Sequence, residues 1–307
     1  MHDLAQLLPH GVGRRDRVTL ATSSSSVSRW LAQGALVLIH PGVLAVAERS
    51  DDWGVRAWAA VLWSRGPLSH LSALAVHRLV ATPPPGPLHV TVPADRWPRG
   101  AAEVVAHRTT LPVRVCRVGG LPVLEPARSL VDAWSWASSP RRNPAARLET
   151  PLVRQSVIEA VRDRCVDVAD LRAESAYQRQ HAGRAALTDL LGLVAGGCQS
   201  ELEIWGVTHV LRLPGLPPPV QQHRVVLLDG RRVDLDAAWP GARVAVELDG
   251  AAFHGSRQQR ERDLRRDTAL AALGWVVLRF SYRRLTTDPE GCRREIEAVL
   301  RRRLALR

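Results

Sequence analysis

Residues 231–249 read RRVDLDAAWPGARVAVELD, and the fold of the C-terminal part of the chain can be inferred from this pattern. Two runs, 231–237 and 243–249, alternate apolar and polar side chains on either side of a Pro240-Gly241 turn. That pattern predicts two antiparallel neighbouring strands. The runs contain four acids: Asp234, Asp236, Glu247 and Asp249.

The acids are predicted to share one face of this strand pair. Side chains along a strand alternate between its faces, so Glu247 and Asp249 point away from the valines of the second run. Asp234 and Asp236 share a face for the same reason. Up to four carboxylates therefore meet, although like charges opposite each other destabilise a strand pair.

Two kinds of partner would neutralise this acidic face. Arg232 and Arg243 fall on the same face and would form a ladder with the acids. A hard divalent cation, which prefers oxygen ligands, would do the same. The residues alone leave both alternatives open.

The surrounding pattern predicts a compact mixed-sheet domain with the order α-β-β-β-α-β-α. A strand over 222–228 precedes the pair, and a helix over 256–273, a strand over 275–280 and a helix over 290–303 follow it. Ser200 and Glu203 have the spacing of a capping box at the start of the first helix. Glu203 is thus either a helix cap or a further acid of the site.

The N-terminal region is predicted to begin with helices and a hairpin. Ser23 to Ser26 offer an N-cap for a short helix over 27–32, and two apolar runs flank the turn at 40–42. This order is typical of a winged helix-turn-helix, in which Ser28 and Arg29 would face DNA. Residues 51–194 mix helices and strands, and 138–150 is polar and predicts a linker.

Composition narrows the function classes. The 307 residues have a formal net charge of +12, and all 42 basic residues are arginines. Mechanisms that need a lysine are therefore excluded, and nucleic acid is the first candidate partner. Four separated cysteines predict reduced thiols and a cytoplasmic location. No apolar run is long enough for a membrane span.

Residues 231–280 resemble a PD-(D/E)XK-type nuclease domain of the branch related to very-short-patch-repair (Vsr) endonucleases. The stretches that carry the resemblance are VDLDAAWP, VAVELDG-AAFH, RDLRRDTALAALGW and VVLRFSY. The resemblance implies a restriction-endonuclease-like fold that holds Mg²⁺ (or Mn²⁺) for phosphodiester hydrolysis. It assigns the metal to Asp236, with Asp234 as the alternative, to Glu247 with the Leu248 carbonyl, and to Glu203.

The chain departs from most of that superfamily at Asp249, where a lysine is usual. The Vsr-related branch also lacks the lysine and relies on a histidine, which the resemblance assigns to His254 as general base or phosphate partner. Arginines of the following helix are predicted to grip the DNA backbone. They are Arg257, Arg260, Arg262 and Arg266.

Residues 14–137 resemble the N-terminal part of AbiEi-family antitoxins and transcriptional regulators. VSRWLAQGALVLIHPGVLAVA, LSHLSALAVHRL, LHVTVP and VGGLPVLEPARSLVDAW carry this resemblance. It implies a winged-helix DNA reader, and a toxin or a second copy of the chain as partner.

We therefore predict an α/β (α+β) protein with three regions: a winged helix over 1–50, an AbiEi-like middle region over 51–195 and a restriction-endonuclease-like domain over 196–307. The predicted function is metal-dependent cleavage or nicking of DNA. The alternative is a non-catalytic regulator or antitoxin with a degenerate nuclease domain. RNA stays an alternative substrate, because acids and metal act on either backbone.

Overall fold

The computed structural model describes residues 4–80, 85–101, 103–249 and 257–305, without the side chains of 257–260. The chain forms two compact units, Met1–Thr188 and Asp189–Arg307. Both mix helices and strands, as predicted. No helix of the described part combines the length and the apolar character that a membrane span needs.

The first half of the N-terminal unit has a small sheet with the strand order β1-β3-β2. Ser23 accepts a hydrogen bond from the backbone N–H of Ser26, which starts the helix predicted there. Gly42 has a φ of 73° at the hairpin turn, a conformation that favours glycine. The elements are α1 (Leu4–Leu7), β1 (Val12–Arg14), α2 (Arg15–Ala21), α3 (Ser24–Ala32), β2 (Leu36–His40), β3 (Val43–Val46) and a 3-10 helix (Ala47–Arg49).

The second half of this unit contains a parallel pair, β4 and β5, and an antiparallel hairpin, β6 and β7. Its strands pack on helices through alanine, valine and leucine side chains. The elements are α4 (Trp53–Ser64), α5 (His70–Val76), β4 (Leu88–Pro93), β5 (Val104–Thr109), β6 (Val115–Val118), β7 (Leu121–Leu124), α6 (Pro126–Ala137), α7 (Ala146–Arg162) and α8 (Val168–Tyr177). The helix α9 (Arg184–Ala195) crosses the boundary between the units.

The C-terminal unit has a four-stranded sheet with the order β11-β10-β9-β8. β8, β9 and β10 are antiparallel neighbours, and β11 returns parallel to β10 after a helix. Leu270 of that helix packs with Leu235 and Ala245 in the core. The elements are α10 (Glu201–His209), β8 (Val220–Val226), β9 (Arg232–Trp239), β10 (Val244–Asp249), α11 (Arg257–Ala272), β11 (Val276–Ser281), α12 (Tyr282–Thr287) and α13 (Pro289–Ala305).

The linker predicted over 138–150 is wrong, because the segment is ordered within the N-terminal unit. Asn143 is 2% exposed and its amide donates to Glu149 at 2.6 Å. The oxygen of the same side-chain amide, Asn143 Oδ1, accepts a hydrogen bond from the backbone N–H of Ala145 at 3.0 Å. One buried asparagine therefore organises the turn that leads into α7.

Candidate active site

Asp236 and Glu247 lie across from each other where β9 and β10 stop pairing. The antiparallel register ends at Val246 opposite Ala237, and its continuation places Glu247 opposite Asp236. Here the backbone N–H of Leu248 donates to Asp236 Oδ2 at 2.8 Å. A side-chain oxygen thus accepts the hydrogen bond that a strand carbonyl would otherwise accept. This bond fixes the Asp236 carboxylate at the point where β9 and β10 separate.

Glu247 is 6% exposed and forms a two-pronged ion pair with Arg266 of α11. The Arg266 guanidinium donates to Glu247 Oε1 at 2.7 Å and to Oε2 at 3.2 Å, and also to the Asp234 backbone carbonyl at 2.9 Å. Burial, together with the Asp236 charge, nevertheless raises the pKa of Glu247 to about 7. The arginine offsets this desolvation only in part.

Glu203 caps α10 and also reaches the Asp236 region. Ser200 and Glu203 form the predicted capping box: Ser200 Oγ accepts from the Glu203 backbone N–H at 3.2 Å and donates to Glu203 Oε1 at 2.8 Å. The Gln222 amide donates to Glu203 Oε2 at 3.0 Å. Burial and the nearby Asp236 carboxylate raise the pKa of Glu203. Glu203 therefore takes part in the start of α10 and also lies close enough to Asp236 for the two charges to interact.

Asp234 and Asp249 occupy the more open part of the strand pair. Arg224 of β8 holds Asp234 through two hydrogen bonds of 2.8 and 3.0 Å and lowers the pKa of its carboxyl. Asp249 Oδ1 is 3.9 Å from Arg279 of β11. The first of the two alternatives, a ladder of Arg232 and Arg243, is not formed by Arg243, which donates to the Leu273 carbonyl instead. Arginines from neighbouring elements neutralise these acids.

Three residues that contact the acids of the candidate site were not predicted from the sequence. They are Gln222, Arg224 and Arg279. Gln222 has a φ of 47°, and its amide lowers the pKa of Asp236 as well as contacting Glu203. Arg279 pairs with Glu247 in the parallel register of β10 and β11. The register would have signalled Arg279, but the left-handed backbone of Gln222 has no sequence signal.

The other predicted residues are exposed or lie outside the described residues. His254 is outside the described part of the chain, as are the side chains of Arg257 and Arg260. Arg262 is exposed on α11. Ser28 and Arg29 are exposed on α3 in the N-terminal unit.

The donor set suits a hard divalent cation. Asp236, Glu247 and Glu203 offer carboxylate oxygens, the ligands that Mg²⁺ and Mn²⁺ prefer. Burial raises the pKa of all three, so a bound cation would relieve an existing electrostatic cost. Arg266 now supplies the positive charge on Glu247, and over the described residues these three acids do not converge within 4.8 Å. A cation would replace Arg266 at Glu247.

The four-stranded sheet, its helices and the acids on β9 and β10 define a restriction-endonuclease-like α/β domain at the C-terminus. The family model that matches is REase_MTES_1575, over residues 219–300, which contain all four strands and α11. The predicted nuclease-like domain is therefore confirmed. The AbiEi resemblance of the N-terminal region stays a prediction.

Two proteins of Mycobacterium tuberculosis are similar to most of the chain. They are "Uncharacterized protein MT2308" of strain CDC 1551 / Oshkosh and "Uncharacterized protein Rv2248" of strain ATCC 25618 / H37Rv. Each is 26% identical over 249 residues, which cover 80% of this chain and 85% of the relative. A crystal structure of the RV2827C protein from the same species is 19% identical, with a TM-score of 0.38, and covers 62% of this chain and 74% of that chain.

Proposed function

We propose that the protein is a metal-dependent endonuclease that cleaves or nicks DNA. The carrying observation is the pair of buried Glu247 and half-buried Asp236 on adjacent strands, in a domain that matches a restriction-endonuclease-like model. Carboxylate oxygens on adjacent strands can hold a divalent cation, which in metal-dependent hydrolysis stabilises the charge on the scissile phosphate.

Asp236 and Glu247 hold the cation in this proposal, and Glu203 is the third acid. The Leu248 N–H orients Asp236, and Gln222 orients Glu203. Bound Mg²⁺ or Mn²⁺ would polarise the scissile phosphate and lower the pKa of its water. With a pKa of about 7, Glu247 also exchanges a proton near neutral pH when the cation is absent.

Two arginines provide the positive charge that a lysine supplies in most of the superfamily. Arg266 contacts Glu247, and Arg279 lies beside it in the register. The Nε atoms of both arginines are buried with no hydrogen-bond partner in the described structure, so their donors are not all used. With a cation at Glu247, the Arg266 guanidinium would be available to a DNA phosphate, which a guanidinium binds through two parallel hydrogen bonds.

DNA binding is proposed to involve both units. The exposed Arg262 would contact phosphates beside the candidate active site, as would Arg257 and Arg260 of the same helix. In the N-terminal unit, α2 and α3 precede the β2–β3 hairpin in the order of a winged helix. Ser28 and Arg29 are exposed on α3, which would be the recognition helix. His254 is proposed as the general base and Asp249 as a further acid of the site.

The test is cleavage of plasmid and linear DNA by wild type and by Glu247→Gln. The variant should cleave more than about 100-fold more slowly, because even outer partners of metal ligands cost roughly 10–100-fold. Asp236→Asn should behave alike. Asp229→Asn is the matched control, because Asp229 lies in the exposed β8–β9 turn and pairs with Arg231. Equal cleavage by wild type and Glu247→Gln, or wild-type cleavage in excess chelator, would refute the site assignment.

A second candidate is a non-catalytic DNA-binding regulator. The observation that favours it is the ion pair of Arg266 and Glu247, which already neutralises the most buried acid. In this case the protein binds DNA but neither wild type nor any variant cleaves it with Mg²⁺ or Mn²⁺. Arg266→Gln distinguishes the two: it should impair an endonuclease and leave operator binding by the N-terminal unit intact.

A further inference from the structure

Three histidines of the N-terminal unit converge in its interior, and the nuclease proposal does not use them. The histidine cluster consists of His70 at the start of α5, His89 in β4 and His107 in β5. One ring nitrogen from each lies within 4.8 Å of the others. His89 Nδ1 and His107 Nε2 are 2.8 Å apart. No other trio of potential metal ligands in the described residues is as close.

Burial favours the neutral form of all three rings. His70 is 6% exposed and His89 is 2% exposed, and burial is the largest cause that lowers the pKa of each. It lowers the pKa of His89 to about 4 and that of His107 to about 3. A neutral imidazole has one lone pair that a metal ion can bind. For His89 Nδ1 and His107 Nε2 both to bind the ion, the proton that lies between them would move to the other nitrogen of its ring.

The backbone at His70 is strained in a way that brings its ring into the cluster. His70 has a φ of 51°, in the left-handed region that a residue with a Cβ rarely adopts. Such strain persists where surrounding structure requires it, and it concentrates at functional sites. Ser69 Oγ lies 2.9 Å from His70 Nδ1, and this hydrogen bond fixes the orientation of the ring, as the hydrogen-bond partner of a metal-ligating histidine does.

A buried polar atom on the same sheet face lacks a partner. Thr91 is 3% exposed, and its Oγ1 has no hydrogen bond within the described structure. Thr91 lies opposite His107 in the parallel register of β4 and β5, and two residues from His89. The three side chains therefore point to one face. An unpaired hydroxyl in such a place indicates a group that the protein residues alone do not supply.

The other reading of the cluster is a stack of core histidines. The His70 and His107 rings are nearly parallel, with centroids 3.5 Å apart, and Trp136 lies edge-on to all three rings. Stacking accounts for the packing, but not for the left-handed His70 or the unpaired Thr91. Three titratable rings in one apolar interior also cost more than aliphatic side chains of similar size.

We propose that His70, His89 and His107 bind one transition-metal ion of the Zn²⁺ class. Three neutral nitrogens suit Zn²⁺, Co²⁺ and Ni²⁺, and they leave a fourth position for water or another small ligand. The cation that acts on His70, Arg128, is neutralised by Asp132 at 2.9 Å and Glu174 at 3.4 Å. The cation that acts on His107, Arg142, is exposed to solvent, which screens its charge. The ion would tie α5 to the β4–β5 pair.

The test uses the full-length chain, without a histidine tag and stripped of metal. Every protein that is titrated, with or without a histidine substitution, also carries Asp236→Asn and Glu247→Gln. Ions bound at these two carboxylates then do not contribute to the signal. Co²⁺ should bind one equivalent and give the visible absorption of a four-coordinate site, and Zn²⁺ should displace it. Zn²⁺ in 100-fold excess over its Kd should raise the Tm by about 5–10 °C.

The variants are His89→Gln and His107→Gln, and each should weaken Co²⁺ binding by at least about 100-fold. His10→Gln is the control, because His10 is an exposed histidine of the same unit that stacks on Trp58. Far-UV circular dichroism checks that each variant is folded. If His89→Gln does not fold, His107→Gln decides, since its ring is less buried.

Two results overturn the proposal. One is the lack of stoichiometric Co²⁺ or Zn²⁺ binding before any histidine is changed. The other is unchanged affinity in a folded His89→Gln or His107→Gln variant. Both leave the nuclease proposal untouched, because the carboxylates are already neutralised in the titrated proteins.

Discussion

Two opposing effects act on the charge of Glu247. Burial disfavours its charge, whereas the Arg266 guanidinium and any divalent cation favour it. The chain retains a carboxylate where an apolar side chain would pack at lower cost. A buried acid between two aspartates and two arginines is therefore more readily explained by chemistry than by stability.

Glu247 predicts a pH dependence of stability. The folded pKa, about 7, is raised above the ordinary value of 4.5. The folded state therefore holds the proton more tightly than the unfolded chain between these pH values. The stabilisation that this proton on Glu247 gives to the folded state is fully present below pH 4.5. It is lost as the pH rises through 7. The loss is on the order of 3 kcal/mol.

Urea unfolding in chelator at pH 5, 6, 7 and 8 measures this effect. Other groups titrate as well, so the informative quantity is the difference between wild type and Glu247→Gln. Relative to the variant, wild type should lose free energy of unfolding from pH 5 to pH 8. Arg231 lowers the pKa of the Asp229 carboxyl, so that this carboxyl stays ionised in this pH range. The stability of Asp229→Asn should therefore follow that of wild type from pH 5 to pH 8. A pH-independent difference between wild type and Glu247→Gln would mean that Glu247 does not titrate there.

At the scale of elements, the position of α10 against β10 depends on one glycine. A Cβ at Gly206 would lie 2.8 Å from Leu248 Cδ1. Close contact lets α10 bring Glu203 near Asp236 while Leu248 donates to the same carboxylate. The helix therefore has to stay near the strand for the three acids to remain neighbours.

Gly206→Val should push α10 away from β10. We expect a loss of about 1–3 kcal/mol in the free energy of unfolding, because the added carbons overpack a filled contact. The displaced Glu203 should also slow any DNA cleavage. Gly192→Ala is the matched control: Gly192 lies in α9 with nothing within 4 Å of its Cβ position, and alanine there should stabilise by about 0.5–1 kcal/mol. Equal stability of Gly206→Val and wild type would contradict the close packing.

The elements that the sequence predicted are those with local signals. Ser200 and Glu203 form the expected capping box, and Gly274 ends α11 with a φ of 79°. β5 was not predicted, because its residues VVAHRT have no clear alternation and its parallel partner is distant in sequence. The arginines that pair with the acids were not found from the sequence for the same reason. Arg224 and Arg266 lie on other elements and reach Asp234 and Glu247 from there.

At the scale of the whole molecule, the charge of the chain bears on its partners. Many arginines are already paired, as Arg301 is with Glu297 at 2.6 Å. The formal net charge of +12 nevertheless leaves a surplus of arginine. Such a surplus favours a polyanion and makes its binding sensitive to salt. The relevant question is which arginines contact phosphates.

DNA affinity should fall steeply with salt, and Arg262 should account for part of that slope. Arg262 is exposed on α11, the helix that carries Arg266 to the candidate active site. If it neutralises one phosphate, Arg262→Gln should weaken binding at low salt and lower the slope of log K against log salt by about 1. Fluorescence anisotropy with a DNA duplex in chelator, from low to physiological salt, measures the slope without cleavage. Arg301→Gln removes the same charge from a paired arginine of α13 and should leave the slope near that of wild type. If both variants lower the slope equally, the effect comes from net charge alone, and α11 does not contact DNA.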